Sequence, residues 1–471
     1  MAISPQDLGP RAAAHLLNRA GFGPRPGQIH EVLERGLERY VREQLEPAPD
    51  PALEQRLARF PTLSYPTSRV LSLYEADPRS TAVILDEFAS AKVVRAVHSA
   101  NQLQEALVDF WFNHFNVFVA DGFARYSISS YERDAIRPHV LGRFRDLLGA
   151  VTTHPAMLFY LDNYLSTVER TVGGRKTGGL NENHGRELLE LHTVGVDAGY
   201  TQADVIDAAR CLTGFGIDNL RTGGNFLFRA ANHDPGSKQV FGLSVPAGGG
   251  REDGDRLLDH LASQPAAARF ISRALAERFS SDTPAPALVD TMADRFLRTD
   301  GDLREVMQAL FGSTEFWAEA FGPGKFKTPL ELVASALRAM DAEVTNTRAI
   351  TGALANMGLP LYACNPPTGY SNRGADWINP SSQLYRMNFA LDLAAGALPG
   401  VGVDVQAVVR AAGGDPESAS SVAQVISSQV FGRSMSSGSV DAARRVTTGG
   451  PVSVAVRTVG LLLAGPDMQV R

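Results

Sequence analysis

The sequence has few of the features that identify a protein class directly. Its two cysteines, Cys211 and Cys364, are far apart and show no metal-binding or redox spacing, which excludes a disulfide scaffold. The net charge of -6 provides no basic surface of the kind that nucleic acids require, so we expect no nucleic-acid partner. No apolar run is long enough to form a membrane-spanning helix.

Targeting signals and familiar catalytic motifs are also scarce. Residues 1–8 contain no basic stretch followed by an apolar run, so we expect a cytoplasmic protein; an exported protein trimmed to its mature start would look the same. The chain has no phosphate-binding loop, dinucleotide fingerprint, zinc-protease motif or nucleophile elbow. We therefore do not expect the enzyme classes that these motifs define.

Helical periodicity runs through most of the chain. Strand-like alternation is confined to a short stretch near 225–243. The sequence therefore predicts a mainly α fold, with one large helical domain at 5–395 and a β-hairpin-like excursion near 225–243. Residues 396–471 are predicted to form a C-terminal helical segment packed on that domain.

Two short runs carry local signals. Thr167–Leu180 is rich in Gly, Thr and Arg, and it predicts a mobile loop because it lacks the apolar anchors that would offset the entropy lost on ordering. Thr201–Asp204 resembles a capping box, with Asp in place of the usual Glu, and it predicts the start of a helix.

The segment Asn181–Thr193 concentrates ionisable side chains on a predicted helix. At about 100° per residue, one broad arc of this helix is apolar; it carries Leu188, Leu189, Leu191 and Val194. The opposite side carries Glu182, Asn183, Arg186, Glu187 and Glu190. His184 and His192 fall inside the apolar arc, so the pattern predicts a polar centre inside a helical domain.

A second predicted helix, around Phe110, shows a related arrangement. Its polar side carries Glu105, Asp109, Asn113 and Asn116, whereas His114 falls on the apolar side. Because an unpaired buried imidazole costs free energy, His114 and His192 each need a partner. We predict that they belong to one buried polar cluster. The alternative is that each is an ordinary core histidine satisfied by a single hydrogen bond.

This cluster is a candidate catalytic centre, because neutral imidazoles and carboxylates can transfer protons near neutral pH. The candidate catalytic residues are His114, Glu187, His192, Arg186 and Glu182. A plainer interpretation is that Glu182, Arg186 and Glu190 form a charge ladder on a helix surface. The His-x-x-Glu pair of His184 and Glu187 could supply ligands to a divalent metal, and the identity of any cofactor is left open.

A second candidate site is the turn that contains His233, Asp234 and Lys238. These three side chains could orient the carboxylate or phosphate of a substrate, so they are the candidate substrate-binding residues. The alternative is a turn in which Asp234 binds only neighbouring backbone groups.

Several short runs distributed along the chain are distinctive. They are Ala13–Gly23, Phe110–Phe115, Ile136–Leu148, Asn181–Gln202, His233–Lys238, Lys327–Pro329, Pro367–Tyr370 and Leu384–Phe389. Together they resemble the uncharacterised bacterial family known as domain of unknown function 1800, which usually has Tyr where this chain has His184 and often Ala where it has Gly185. The resemblance implies kinship rather than an activity. It also implies that an export signal and a sulfatase-like partner, encoded by a neighbouring gene, would be in keeping with the family.

Two hypotheses of different kinds follow. The first is an enzyme with a buried His/carboxylate centre, with metal-assisted hydrolysis as one form of its chemistry. The second is a non-catalytic helical protein for binding or assembly, in which the polar helix is a structural hydrogen-bond network. Whether the histidines and Glu187 converge on an open cavity distinguishes them.

Overall fold

The computed structural model describes residues 9–172, 175–446 and 452–471, and most of these residues are helical. The predicted fold class, mainly α with small hairpins, is therefore confirmed. Residues 1–8, on which the expected location depends, lie outside the described residues. None of the described helices combines the length and the apolar character that crossing a bilayer requires.

The core receives apolar residues from the helices up to residue 211, except those at 51–57, 67–76 and 183–187, and continues through the rest of the chain. In chain order they are α1 (Gly9–Arg19), α2 (Gln28–Arg35), α3 (Leu37–Leu45), α4 (Pro51–Leu57), α5 (Thr67–Ala76), α6 (Ser80–His98), α7 (Gln102–His114), α8 (Ala124–Ser130), α9 (Phe144–Thr153), α10 (Pro155–Tyr160), α11 (Asn183–Glu187) and α12 (Gln202–Cys211).

The remaining helices extend the same core. They are α13 (Arg251–Ala262), α14 (Pro265–Phe279), α15 (Pro286–Arg298), α16 (Leu303–Phe311), α17 (Thr314–Ala318), α18 (Pro329–Ala339), α19 (Arg348–Asn356), α20 (Pro380–Ala394), α21 (Val405–Ala411), α22 (Ala419–Ile426), α23 (Ser437–Arg444), α24 (Val454–Ala464) and α25 (Pro466–Gln469).

Capping residues determine where several helices begin. The predicted capping box at Thr201 is present: its hydroxyl accepts from the Asp204 amide, and the Asp204 carboxylate accepts from the Thr201 amide. Thr328 and Glu331 form the same motif at the start of α18, where Pro329 occupies the first helical position. These local signals explain why the helix starts could be read from the sequence.

The prediction of a loop at Thr167–Leu180 was wrong. Strands β1 (Thr167–Val172) and β2 (Arg175–Gly179) pair there as an antiparallel hairpin, although its tip, at 173–174, lies outside the described residues. Thr167 helps to close the hairpin, because its hydroxyl accepts from the Gly179 amide at 3.2 Å. Pairing between the two strands satisfies backbone groups that a loop would leave to water.

The predicted excursion near 225–243 consists of parts of two hairpins. Strand β3 (Phe215–Ile217) pairs with β4 (Phe226–Phe228), and β5 (Lys238–Val240) pairs with β6 (Leu243–Val245). A third pair, β7 (Glu343–Val344) with β8 (Val401–Gly402), joins the region after 396 to the preceding part of the chain.

The C-terminal residues are tied to the large helical body. Helix α24 packs along α20. The backbone of Lys325 exchanges two hydrogen bonds with that of Arg471, at 2.9 and 2.8 Å. A division of the chain into domains at residue 395 stays a prediction.

Candidate functional site

The polar helix contains an irregular turn. Helix α11 continues from Glu187 into a π-helical turn at Leu188–His192. Such wide turns are rare and are often found at functional sites. The turn ends on His192, whose side chain is buried.

Gly185 allows α11 to lie against α12. A β-carbon at this position would lie 2.6 Å from the backbone nitrogen of Ala209 and 2.9 Å from its α-carbon. Backbone atoms cannot move aside as the end of a flexible side chain can. The two helices can therefore approach this closely only with glycine at position 185.

We expect Gly185→Ala to destabilise the protein by about 1–3 kcal/mol, because overpacking outweighs the gain in helix propensity of about 1 kcal/mol. Gly352→Ala is the matched control, since Gly352 is also helical and a β-carbon there would meet nothing within 4 Å. It should stabilise the protein by about 0.5–1 kcal/mol. Urea denaturation of both variants measures the difference, and equal effects would contradict the close approach of the helices.

Three histidines lie close together beside this turn. Nε2 of His114 lies 3.3 Å from the carbonyl oxygen of His192, so the structure brings these two predicted residues into contact. Within the described chain, both ring nitrogens of His184 and Nδ1 of His192 have no hydrogen-bond partner. Burial lowers the pKa of His114 to about 4 and that of His184 to about 3. Burial also lowers the pKa of His192, and the other two histidines add to this effect.

The carboxylates of the polar helix lie in more open surroundings. Glu182 accepts from Arg186 at 3.0 Å and from Gln202 at 2.7 Å, which makes a surface charge pair. Tyr200 donates to Glu190 at 3.4 Å. Glu187 is half-buried, and burial raises its pKa, as does the neighbouring Glu190. None of the hydrogen bonds between described residues joins Glu187 to a histidine of the cluster, so the catalytic role of these residues stays a prediction.

The donor atoms around the polar helix do not fit a metal centre. Over the described ranges, no group of three or more His, Cys, Asp or Glu side chains is placed to hold a metal ion. The His-x-x-Glu pair contains a fully buried His184 and a half-buried Glu187. We therefore derive no metal-dependent step.

The second predicted site lies inside the protein. The Lys238 ammonium is fully buried and donates to Asp253 at 2.5 Å and to the carbonyl of Asp234 at 2.6 Å. Nε2 of His233 lies 3.1 Å from the same Asp253 oxygen. The Asp234 carboxylate accepts from Arg210 at 2.7 Å. These contacts fix the turn, and a substrate-binding role for His233, Asp234 and Lys238 stays a prediction.

A chain of buried ion pairs, absent from the predictions, crosses the core. Arg137 donates to both oxygens of Glu105 at 2.9 Å and to Glu132 at 3.2 Å. The Lys92 ammonium lies 3.9 Å from Glu132 and 3.0 Å from Asp109. Asp109 is the most exposed carboxylate of this chain of ion pairs: its side chain is 27% exposed, compared with 3% for Glu132.

Asp109 lines a small cleft, about 50 Å³ in volume, that opens to solvent. The floor holds Lys92 on α6 and Arg278 on α14, whose nitrogens lie 3.0 and 3.7 Å from the Asp109 carboxylate. The walls carry the aromatic residues Phe110, Phe112, Tyr362, Tyr370 and Trp377. A concave, mostly apolar site with a few converging polar groups is the usual form of a small-molecule site.

Helix α7 holds the loop that forms the far wall of this cleft. Asn113 exchanges two hydrogen bonds with the backbone of Tyr370, both at 2.6 Å. Asn116 donates to the carbonyls of Cys364 and Pro366, both at 2.9 Å. Gly369 has a positive φ of 69°, and a β-carbon there would lie 2.2 Å from the Asn113 carbonyl. The loop can therefore reach the helix only with glycine at this position.

Tyr362 joins the cleft to the buried ion pairs. Its φ of 61° lies in the left-handed region, which a bulky residue occupies only when its surroundings hold it there. Its hydroxyl donates to Glu132 at 2.7 Å, and its ring stacks on Phe88 at 4.0 Å. Lys92 lies 4.8 Å from the centre of the same ring. This strained backbone marks the cleft as a functional candidate.

Three of the distinctive sequence runs meet at the cleft. Phe110–Phe115 forms its α7 wall, Pro367–Tyr370 contributes Tyr370, and Lys327–Pro329 contributes Thr328.

The fold and site thus define a helical protein with a charged, aromatic-lined cleft. A family model described as "Protein of unknown function (DUF1800)" matches residues 15–470, and the chain belongs to that family. No curated protein and no solved structure matches it.

Part of this site was visible in the sequence. The helical pattern placed Asp109, Asn113 and Asn116 on one polar face, and that face lines the cleft. The sequence carried no signal that Lys92 and Arg278 would flank Asp109, because Lys92 belongs to the preceding helix and Arg278 to one much further along the chain.

Proposed function

We propose that this protein binds a small, neutral, hydroxyl-rich ring molecule, such as a sugar, in the cleft at Asp109. The observation that carries the proposal is the combination of one accessible carboxylate, two flanking cations and aromatic walls in a single cleft. The proposal accounts for the site without requiring a reaction.

The chemistry of the floor favours a neutral ligand. A hydroxyl group can donate to Asp109 and accept from Lys92 or Arg278, so it can use both kinds of group at once. Asp109 balances part of the positive charge, and Glu331 pairs with Arg278 on its far side. Tyr370 and Trp377 supply apolar lining for the carbon face of a sugar ring.

Asp109→Asn tests the proposal. We expect at least one member of a panel of mono- and disaccharides to bind the wild-type protein in calorimetric titrations. The substitution should weaken that binding about 10- to 100-fold, since it removes a charged hydrogen-bond acceptor. Asp392→Asn, the same chemical change at an exposed position on α20, is the control and should leave affinity unchanged. The proposal fails if no saccharide binds, or if Asp109→Asn binds as the wild type does.

A hydrolytic centre on the polar helix is the second candidate. Glu187 favours it, because a half-buried carboxylate with a raised pKa is suited to general acid–base catalysis. The same panel, supplied as chromogenic glycosides and esters, tests this candidate. Hydrolysis that is lost in Glu187→Gln and retained in Glu182→Gln would support it, whereas the absence of hydrolysis would leave binding as the function.

A further inference from the structure

A second pocket, remote in sequence from Asp109, is lined by an excess of cations. It has a volume of about 60 Å³ and lies among α1, residues 319–327, residues 430–433 and residues 467–471. Its lining carries three arginines and one lysine: Arg11, Arg433, Arg471 and Lys327. Two carboxylates, Glu319 and Asp467, oppose them. We call it the basic pocket.

One of the two carboxylates is already engaged by the protein. Asp467 accepts from the hydroxyls of Ser436 and Ser439 at 2.7 and 2.5 Å, and Arg433 lies 3.4 Å away. Asp467 therefore holds neighbouring segments together, and its charge is shared with Arg433. Glu319 is the other acidic side chain in the lining, and it faces the remaining basic side chains.

Lys327 is a buried cation of this pocket without an ion-pair partner among the described residues. Its side chain is buried, and its ammonium contacts the Ser335 hydroxyl at 3.1 Å and the Met468 sulfur at 3.8 Å. It forms no ion pair with a carboxylate in the described segments. A buried amine with one oxygen partner leaves hydrogen-bonding capacity unused, which is costly inside a protein.

Two arginines at or behind the pocket also have unused donors. Nε of Arg471 has no partner within the described ranges, although its terminal nitrogens reach Glu331 at 2.9 Å and the Arg278 carbonyl at 2.6 Å. Arg19 follows the pocket-lining His15 by one helical turn. It is fully buried, and its three guanidinium nitrogens have no hydrogen-bond partner there either.

The electrostatic surroundings are consistent with a positive field. Burial lowers the pKa of His15, and Arg19, Arg471 and Arg11 lower it further. Burial likewise lowers the pKa of Lys327 to about 7. A concave site with an excess of one sign of charge concentrates ions of the opposite sign.

We propose that the basic pocket binds a small oxyanion, namely the phosphate or carboxylate group of an organic anion. Such a group would supply acceptors to Lys327 and to the rim arginines Arg11 and Arg433. Charge-assisted hydrogen bonds of this type are stronger than those between neutral groups. The site is separate from the cleft at Asp109, so either proposal can fail without the other.

The proposal is tested by calorimetric titration with sodium phosphate and with sodium malonate. Sodium chloride keeps the ionic strength constant. We expect saturable binding of at least one anion and a rise in the thermal midpoint with its concentration. Lys327→Met and Arg11→Gln should each weaken binding at least about tenfold. Arg348→Gln, at an exposed position on α19, is the control and should bind as the wild type does.

The outcomes separate an anion site from a structural role. If Lys327 serves an anion, Lys327→Met should be at least as stable as the wild type without anion and should lose the anion-dependent rise in its midpoint. Binding of phosphate alone assigns a phosphoryl group, and binding of malonate alone assigns a carboxylate. Absence of saturable binding by either anion, or unchanged affinity in both pocket variants, would overturn the proposal.

Discussion

The protein should lose stability steeply as the pH falls from 6.5 towards 4. His15, His184 and His192 are buried, and burial holds the pKa of each well below 6.5. These side chains are neutral in the folded protein and become protonated in the unfolded chain below pH 6.5. The unfolded state therefore binds more protons, and the free energy of unfolding falls as pH falls. Each histidine contributes about 1.4 kcal/mol per pH unit, so these three contribute about 4. Burial also lowers the pKa values of His98, His114 and His154, and these histidines add to the slope.

Denaturation in urea at pH 7.5, 6.5, 5.5 and 4.5 measures this slope. His184→Leu removes one of the three groups and should reduce the slope between pH 6.5 and 4.5 by about 1.4 kcal/mol per pH unit. His30→Gln is the control. The His30 side chain is 76% exposed, so this substitution should leave the slope unchanged. A stability that stays flat over this range would show that the histidines are not buried in the neutral form.

Glu331→Gln should destabilise the protein by about 3–5 kcal/mol, because it removes a counter-charge from two buried arginines. Glu331 is 2% exposed and pairs with Arg278 and Arg471. Burial alone would raise the pKa of Glu331, but the two arginines outweigh it and hold the pKa at about 2. Glutamine has the same shape and can still accept one hydrogen bond, so the loss comes mainly from the charge.

The matched control is Glu343→Gln. Glu343 also pairs with an arginine, Arg56, but its side chain is 54% exposed. Water screens an exposed pair, and its loss should cost less than about 1 kcal/mol. Chemical denaturation at pH 7 compares the two variants. If the free energies of unfolding of Glu331→Gln and the control differ by less than about 1 kcal/mol, the buried ion pairs stabilise the fold no more than an exposed pair does.

Local signals explain what could be predicted from the sequence. The capping box at Thr201 and the periodicity of α7 depend on residues a few positions apart, and both appear in the structure. The hairpin at Thr167–Gly179 was missed because its glycines resemble those of a loop, while strand pairing depends on backbone bonds that composition does not show. The pairing of β4 with β3, rather than with a later strand, also could not be predicted, because it too depends on backbone hydrogen bonds.

The cleft shows the same limit on prediction. Asp109 could be placed on a polar helix face, but the ion pairs that define its surroundings join α7 to α6 and α14. Tyr362 reaches Glu132 across 230 positions of sequence. A helical wheel cannot distinguish a polar face that meets water from one that meets buried cations, so the polar face was recognised and its partners were not.

The π-helical turn at Leu188–His192 determines which changes in length this segment can accept. A π turn is wider than an α turn and holds one more residue. Deleting one residue from it would restore an α turn and leave the following residues facing much as they do now, whereas the same deletion in an α turn would rotate them by about 100° around the helix axis. The chain after His192 would then keep its place beside His114. A one-residue deletion should therefore be tolerated better in this turn than in the α-helical turns around it.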